Sequence, residues 1–327
     1  MKRREFLKAT SGAAASFCLP PLSFAGTNSD KWQYSHNSTP LETIIQLTGI
    51  SKPIHILQIS DSHISCDDET DAKYQEFSSR MNDAYSSVKH FGTHETVTPL
   101  KCFEEIMKKA GSEEVDLIAL TGDIINYPSS TAVEAVLEIV KETNIPYLYT
   151  SGNHDWHYEG MPGSSDFLRQ EWIEKRLKPF YKKNPLFSSQ ILGGLNIVSI
   201  DNSTYQVNDK QLEFFKKQKS LQFPIVLFVH IPLYMPSMTI CCGHPEWGAK
   251  SDKNYQIERR ERWPEAGNSA STMEFIDQVM RTEKLAGIFT GHWHNNRTIT
   301  YKDKYQHIAG SALNGQYRHL KFIPFET

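Results

Sequence analysis

Six short runs of aliphatic and β-branched residues, at positions 54–59, 115–120, 145–149, 195–200, 225–229 and 285–289, recur along this 327-residue chain. They are mostly apolar rather than strictly alternating, the pattern of strands buried on both faces. Between them lie segments whose apolar residues return every three to four positions. Thr98 and Pro99 form a cap and first turn ahead of Leu100, Phe103, Met107 and Ala110. Val133, Val136, Leu137 and Val140 repeat the spacing, as do Met273, Ile276, Val279 and Met280. Strand and helix therefore alternate, and a chain built this way is expected to be α/β, with helices covering a largely buried sheet. The order does not separate one sheet from two packed sheets.

Lys2, Arg3 and Arg4 precede Phe6, Leu7 and Lys8, followed by an alanine-rich apolar stretch, Pro20 and Pro21, and the small residues Ser23 and Ala25. Residues 1–25 are thus expected to be a signal peptide, and the paired arginines resemble a twin-arginine leader, which implies export to the periplasm or another extracytoplasmic space. Residues 26–50 read as an amino-terminal arm, and 51–327 as a single domain. Three polar stretches near 64–97, 156–190 and 234–268 are too long for ordinary connections and read as insertions. No apolar run of 18 residues occurs after the leader, so no membrane span is expected once it is removed. With 35 basic against 38 acidic residues, no field favours nucleic acid, and any polyanion must be bound locally. The cysteines Cys66, Cys102, Cys241 and Cys242 show no CxxC or zinc-finger spacing.

The apolar runs end in chemistry. The first is followed by Asp61-Ser62-His63, the second by Gly122-Asp123, the third by Gly152-Asn153-His154-Asp155, the fifth by His230, and the sixth by Gly291-His292-Trp293-His294. Ligands of open α/β sheets gather at the carboxyl ends of strands, and glycine turns can bring side chains from separate strands to one volume there. The ligand candidates are two carboxylates, Asp61 and Asp123, one amide oxygen, Asn153, and four imidazoles, His63, His230, His292 and His294, with no cysteine. Mixed oxygen and nitrogen donors suit Zn, Mn or Fe better than calcium, and seven side chains exceed the needs of one ion. Two ions sharing a carboxylate fit the count.

These motifs, in this order, resemble the calcineurin-like metallophosphoesterase superfamily over about residues 54–310. The resemblance implies a four-layer αββα sandwich of two mixed sheets, with a dinuclear metal centre at one edge. It implies Asp61, His63 and His294 on one transition-metal ion, Asn153, His230 and His292 on the other, and Asp123 bridging them. It implies further that a hydroxide activated between the two metals attacks a phosphate ester while His154, oriented by Asp155, assists the leaving group. The expected substrate is a small phosphorylated molecule, such as a nucleotide or sugar phosphate, cleaved as monoester or diester. The alternative is a non-catalytic metal- or phosphate-binding module on the same fold.

Departures narrow the branch. Asp123 is followed by Ile124, Ile125 and Asn126, where protein serine/threonine phosphatases carry Asp-Arg-Gly after their Gly-Asp motif and purple acid phosphatases a tyrosine ligand. Few residues follow His294, against the large terminal domain of the 5′-nucleotidases. The broad group of small phosphatases and phosphodiesterases remains. Trp156, His157 and Tyr158, and the stretch from Cys241 to Trp247 in the last insertion, would either stack on a base or sugar or pack the insertions together. His244 or Arg259 would contact a phosphate.

Overall fold

The structure, a computed structural model, describes residues 32–236, 238 and 268–325. Residues 1–25, read above as a leader, and the stretch carrying Cys241, Cys242, His244, Trp247 and Arg259 lie outside the described residues. Among those described, no helix is long and apolar enough to cross a membrane.

Two six-stranded mixed sheets organise the described chain. In the first, β1 (Tyr34–Ser38) runs antiparallel to β2 (Glu42–Leu47), followed by β14 (Arg318–Pro324), β3 (Ile54–Ile59), β6 (Leu117–Leu120) and β7 (Tyr147–Tyr149), with β3, β6 and β7 parallel. The second follows the order β12 (Arg297–Tyr301), β13 (Lys304–Ile308), β11 (Leu285–Thr290), β10 (Ile225–Phe228), β9 (Leu195–Ile200) and β8 (Phe187–Leu192), with β13, β11, β10 and β9 parallel. A short hairpin, β4 (Val88–Lys89) and β5 (Thr96–Val97), stands apart.

Period-two alternation sorts the apolar side chains of each sheet onto two faces, and so into three layers. Ile54, Ile56, Leu117 and Ala119 meet Leu195, Ile197, Val226, Phe228 and Phe289 between the sheets. Leu57, Ile59, Ile118 and Leu120 face outward to Phe103, Ile106 and Met107 of α2 (Pro99–Ser112) and to Val133, Val136 and Val140 of α3 (Ser130–Glu142). Val198, Ile200, Leu227 and Val229 face Phe215 of α5 (Asp209–Ser220) and Phe275 and Val279 of α6 (Ala270–Met280). The result is the expected four-layer sandwich, and the six expected strands are all present. Thr98 caps α2 as anticipated, accepting from the Lys101 N–H. Buried Gln58 ties the sheets together near the strand ends, its amide donating to Thr121 Oγ1 and to the Thr290 carbonyl.

The described part of the stretch read as an arm carries two strands of the first sheet, β1 and β2. In β2, Thr43, Ile45 and Leu47 are buried while the residues between are half-buried, and β14 supplies the parallel partner that such a strand needs. The first insertion carries α1 (Gln75–Tyr85), and the second α4 (Ser165–Trp172), continued by a π-helical turn. Trp156, His157 and Tyr158 pack rather than face ligand: they are buried, Trp156 Nε1 donates to Ser203 Oγ, and Tyr158 lies against Tyr74, Tyr127 and Trp172.

Candidate metal centre

Strand-end polar residues converge where the backbone leaves the β region, and at five of them it enters the left-handed region. Asp61 and His63 take φ of 57° and 45° after β3, Asp123 takes 52° after β6, and His292 and His294 take 70° and 53° after β11. A residue with a Cβ loses about 1–2 kcal/mol in that left-handed region, so this edge stores strain that its surroundings must hold. Backbone hydrogen bonds hold it. The N–H of Asp61 donates to the Gly122 carbonyl, that of His63 to the Asp123 carbonyl, and that of Gly291 to the His230 carbonyl, each at 2.9 Å. Two glycines are dictated by closeness. A Cβ on Gly152 would stand 2.1 Å from Asp123 Oδ1, and one on Gly291 only 1.8 Å from Ser60 Oγ.

All seven residues expected to bind metal are at this edge, and six of them form two groups. Asp61, His63 and His294 present donor atoms within 4.8 Å of one another, and so do Asp123, His230 and His292. His63 Nε2 is 3.0 Å from His294 Nε2, which is 3.5 Å from Asp61 Oδ1. Asp123 Oδ2 lies between the groups, 3.1 Å from His230 Nε2 and 3.9 Å from His63 Nε2. Asn153 is buried, flanked by Gly152, which abuts Asp123, and by His154, whose N–H donates to Asp123 Oδ1 at 2.8 Å. The Asn153 Oδ1 has no hydrogen-bond partner among the described residues.

The donor set fits cations. His230 Nδ1 lies 2.9 Å from the Thr121 carbonyl, an acceptor, so this nitrogen carries a proton and Nε2 is the one turned toward the Asp123 carboxylate. The buried Asp123 carboxylate, 3.1 Å from Nε2, calls for positive charge at that point, which a proton on Nε2 or a bound cation supplies. The electrostatics agree. Burial works to raise Asp123, but His230, His154 and His63 hold it well below the usual carboxylate range. Burial works to lower His230, but Asp123 outweighs it and lifts the ring to about 9. His292, pushed to about 3 by burial and then by His230, stays neutral, as does His63, lowered by burial and then by His154 and His294. Neutral imidazoles are the form that ligates metal.

His154 is half-buried at the rim, its ring edge-on to His63 with centroids 4.6 Å apart. Its expected partner is not Asp155. The Asp155 carboxylate points back under the turn and accepts from the N–H groups of Gly152, Asp123 and Ile125. Burial and then the Asp123 charge push it up to about 7. Neighbours in an extended turn diverge, so Asp155 closes the turn while Asn126 reaches His154 from the β6 loop. Asn126 Oδ1 is 3.1 Å from His154 Nδ1, and its amide donates to the Met81 carbonyl at 2.7 Å, which fixes Oδ1 as the acceptor. Nδ1 therefore carries a proton, and Nε2 is the nitrogen left for proton transfer.

A model of the calcineurin-like phosphoesterase family matches residues 54–296, more than half of the chain. The chain belongs to that family. It is 26% identical over 264 residues to a protein from Fibrobacter succinogenes named a probable cyclic nucleotide phosphodiesterase, covering 80% of each chain. It is 29% identical over 302 residues to one of the same name from Psychrobacter arcticus, covering 88% of each. The fold is similar to that of a dimetal phosphatase from Danio rerio, with a TM-score of 0.53 at 8% identity, over 82% of this chain and 92% of the other.

Two supports of this family site went unrecognised in the sequence. Asn202 Oδ1 accepts from the N–H groups of His230 and Ile231 and sets the strand end that carries His230. Tyr205, at φ 62°, places its hydroxyl 3.3 Å from His292 Nε2. Both follow β9, the fourth apolar run, and its polar ending Asp201-Asn202 was the available signal.

Proposed function

We propose that this metal-dependent phosphoric ester hydrolase acts on phosphodiesters of the nucleotide class. Asp61, His63 and His294 would hold one metal ion, Asn153, His230 and His292 a second, and Asp123 would serve both. The observation that carries the assignment is the place of Asp123 Oδ2 between two separate donor groups. The names of the two relatives favour diester over monoester. Two bound ions supply neutralisation of the phosphate charge and a hydroxide available near neutral pH. His154 stands beside them with Nδ1–H held by Asn126, so that a proton on Nε2 can pass to the departing oxygen. Asp155 acts through the turn, keeping Asp123 and Asn153 in place.

The test is hydrolysis of bis-nitrophenyl phosphate, nitrophenyl phosphate and a cyclic nucleotide by protein loaded with Mn or Zn, beside a chelated control. Diester turnover that disappears on chelation and returns with metal is expected. Turnover of the monoester alone, or activity indifferent to metal removal, would overturn the reading. The same reading has residues 1–25 export the chain, and recovery of the uncleaved chain in the cytosol would count against it.

A further inference from the structure

The first insertion sends one aromatic ring to the metal centre, and neither the motifs nor the family match assigns it a role. α1 docks on the site's rim through one face: Ser78 Oγ donates to Asp67 Oδ2, and the Met81 carbonyl accepts from Asn126, the residue that holds His154. One turn further on, the helix ends at Tyr85. Its ring lies on His63 with centroids 4.4 Å apart and planes 18° from parallel, and the rings of His154 and His294 each stand 6.2 Å away. Tyr85 is half-buried. An electron-rich phenol stacked on an imidazole assigned to a cation is a favourable pairing, and the ring stands 6.2 Å from the histidine assigned to the leaving group.

We infer that Tyr85 is a specificity-determining residue: its ring stacks on the planar aromatic part of the substrate's organic group, a nucleobase or a ring of similar shape. The inference rests on the phosphoesterase reading and adds the residue that distinguishes an aromatic ester from an aliphatic one. Stacking of a base on a protein aromatic ring is sequence-tolerant and contributes about tenfold in affinity. The hydroxyl is not needed for it. Phenylalanine should therefore serve, and leucine, which keeps bulk against His63, should not.

The experiment measures binding rather than turnover, by calorimetry on Mn-loaded protein, with three probes: inorganic phosphate, ribose 5-phosphate and adenosine 5′-monophosphate. The wild type is expected to bind the nucleotide about tenfold more tightly than the sugar phosphate. Tyr85→Leu and Tyr85→Ala should erase that difference while phosphate affinity and metal content stay unchanged, and Tyr85→Phe should retain it. Equal affinity of the wild type for nucleotide and sugar phosphate would overturn the proposal. So would a parallel loss of all three probes in Tyr85→Leu, the signature of a ring that merely supports His63. Failure of the metal-loaded wild type to bind even phosphate would overturn the phosphoesterase reading itself, and Tyr85's role with it.

Discussion

Asp155→Asn asks whether the interlocked turns are held by charge or by shape. In the native chain Asp155 Oδ2 accepts from the Gly152 and Asp123 N–H groups at 2.7 and 3.0 Å, and Oδ1 from that of Ile125 at 3.0 Å, with the side chain buried. The amide has the same shape but a single acceptor oxygen. If that oxygen keeps the two donors, the NH2 group meets the Ile125 N–H, and two donors face each other away from water. An orphaned buried donor costs about 1–3 kcal/mol, and two bonds that lose their ionic partner weaken by roughly 1 kcal/mol each. Relief of a buried charge offsets part of this, leaving a destabilisation of about 2–4 kcal/mol. The assay is urea unfolding in chelator, so that metal binding does not enter the comparison. At an m-value near 3 kcal/mol/M the midpoint should fall by about 1 M with its slope unchanged. A wild-type midpoint under those conditions would refute the three-donor account.

Removing the imidazole in His154→Ala should lower kcat by about 10²–10⁴-fold for an alkyl leaving group and much less for nitrophenolate, with metal content unchanged; equal losses on both esters would refute a proton-donor role. Gly152→Ala drives a methyl group into Asp123, and elemental analysis should find both metal sites depleted; two metals per chain would contradict the packing. His307 is buried against Phe289 and His36, and burial, then Arg318 and His36, hold its ring well below 6.5. It stays neutral in the folded chain while the unfolded chain takes up a proton below about pH 6.5, so folded stability falls as pH drops under that value. His307→Phe should flatten that fall by up to about 1.4 kcal/mol per pH unit, whereas parallel stability profiles for the two proteins would refute the assignment.

How legible the fold was depended on where each strand lies. β3, β6, β9, β10 and β11 lie inside the two sheets, with β7 the parallel strand at the edge of the first, and all are largely covered on both faces and so read as mostly apolar runs. β1, β2, β8, β12, β13 and β14 pair antiparallel or lie near an edge, and β1, β2 and β14 alternate in burial, as in the sequence Thr43-Ile44-Ile45-Gln46-Leu47. Such alternation over five or six residues is weak next to the helical and polar segments around it. β14 also pairs with strands more than 250 positions earlier in the chain, a partnership that no local window contains. The second sheet thus came from the family resemblance and not from periodicity.

The site was more legible than the fold because strain and ligation select residue types. Asp, Asn and His tolerate or are forced into left-handed strand ends, and a glycine beside them marks where two backbones touch. What sequence could not supply was direction. The family resemblance implies Asp155 as the partner that orients the adjacent His154, but consecutive side chains leave a turn on different sides. The residue that meets His154 is Asn126, on the loop after a different strand, and it grips the insertion helix through the Met81 carbonyl with its other end. That double hold gives Asn126 a use that its position in the motif did not advertise. The first insertion, the orientation of His154 and the ring of Tyr85 are then one assembly, so that on the proposed reading lengthening or moving α1 would alter leaving-group chemistry as well as substrate choice.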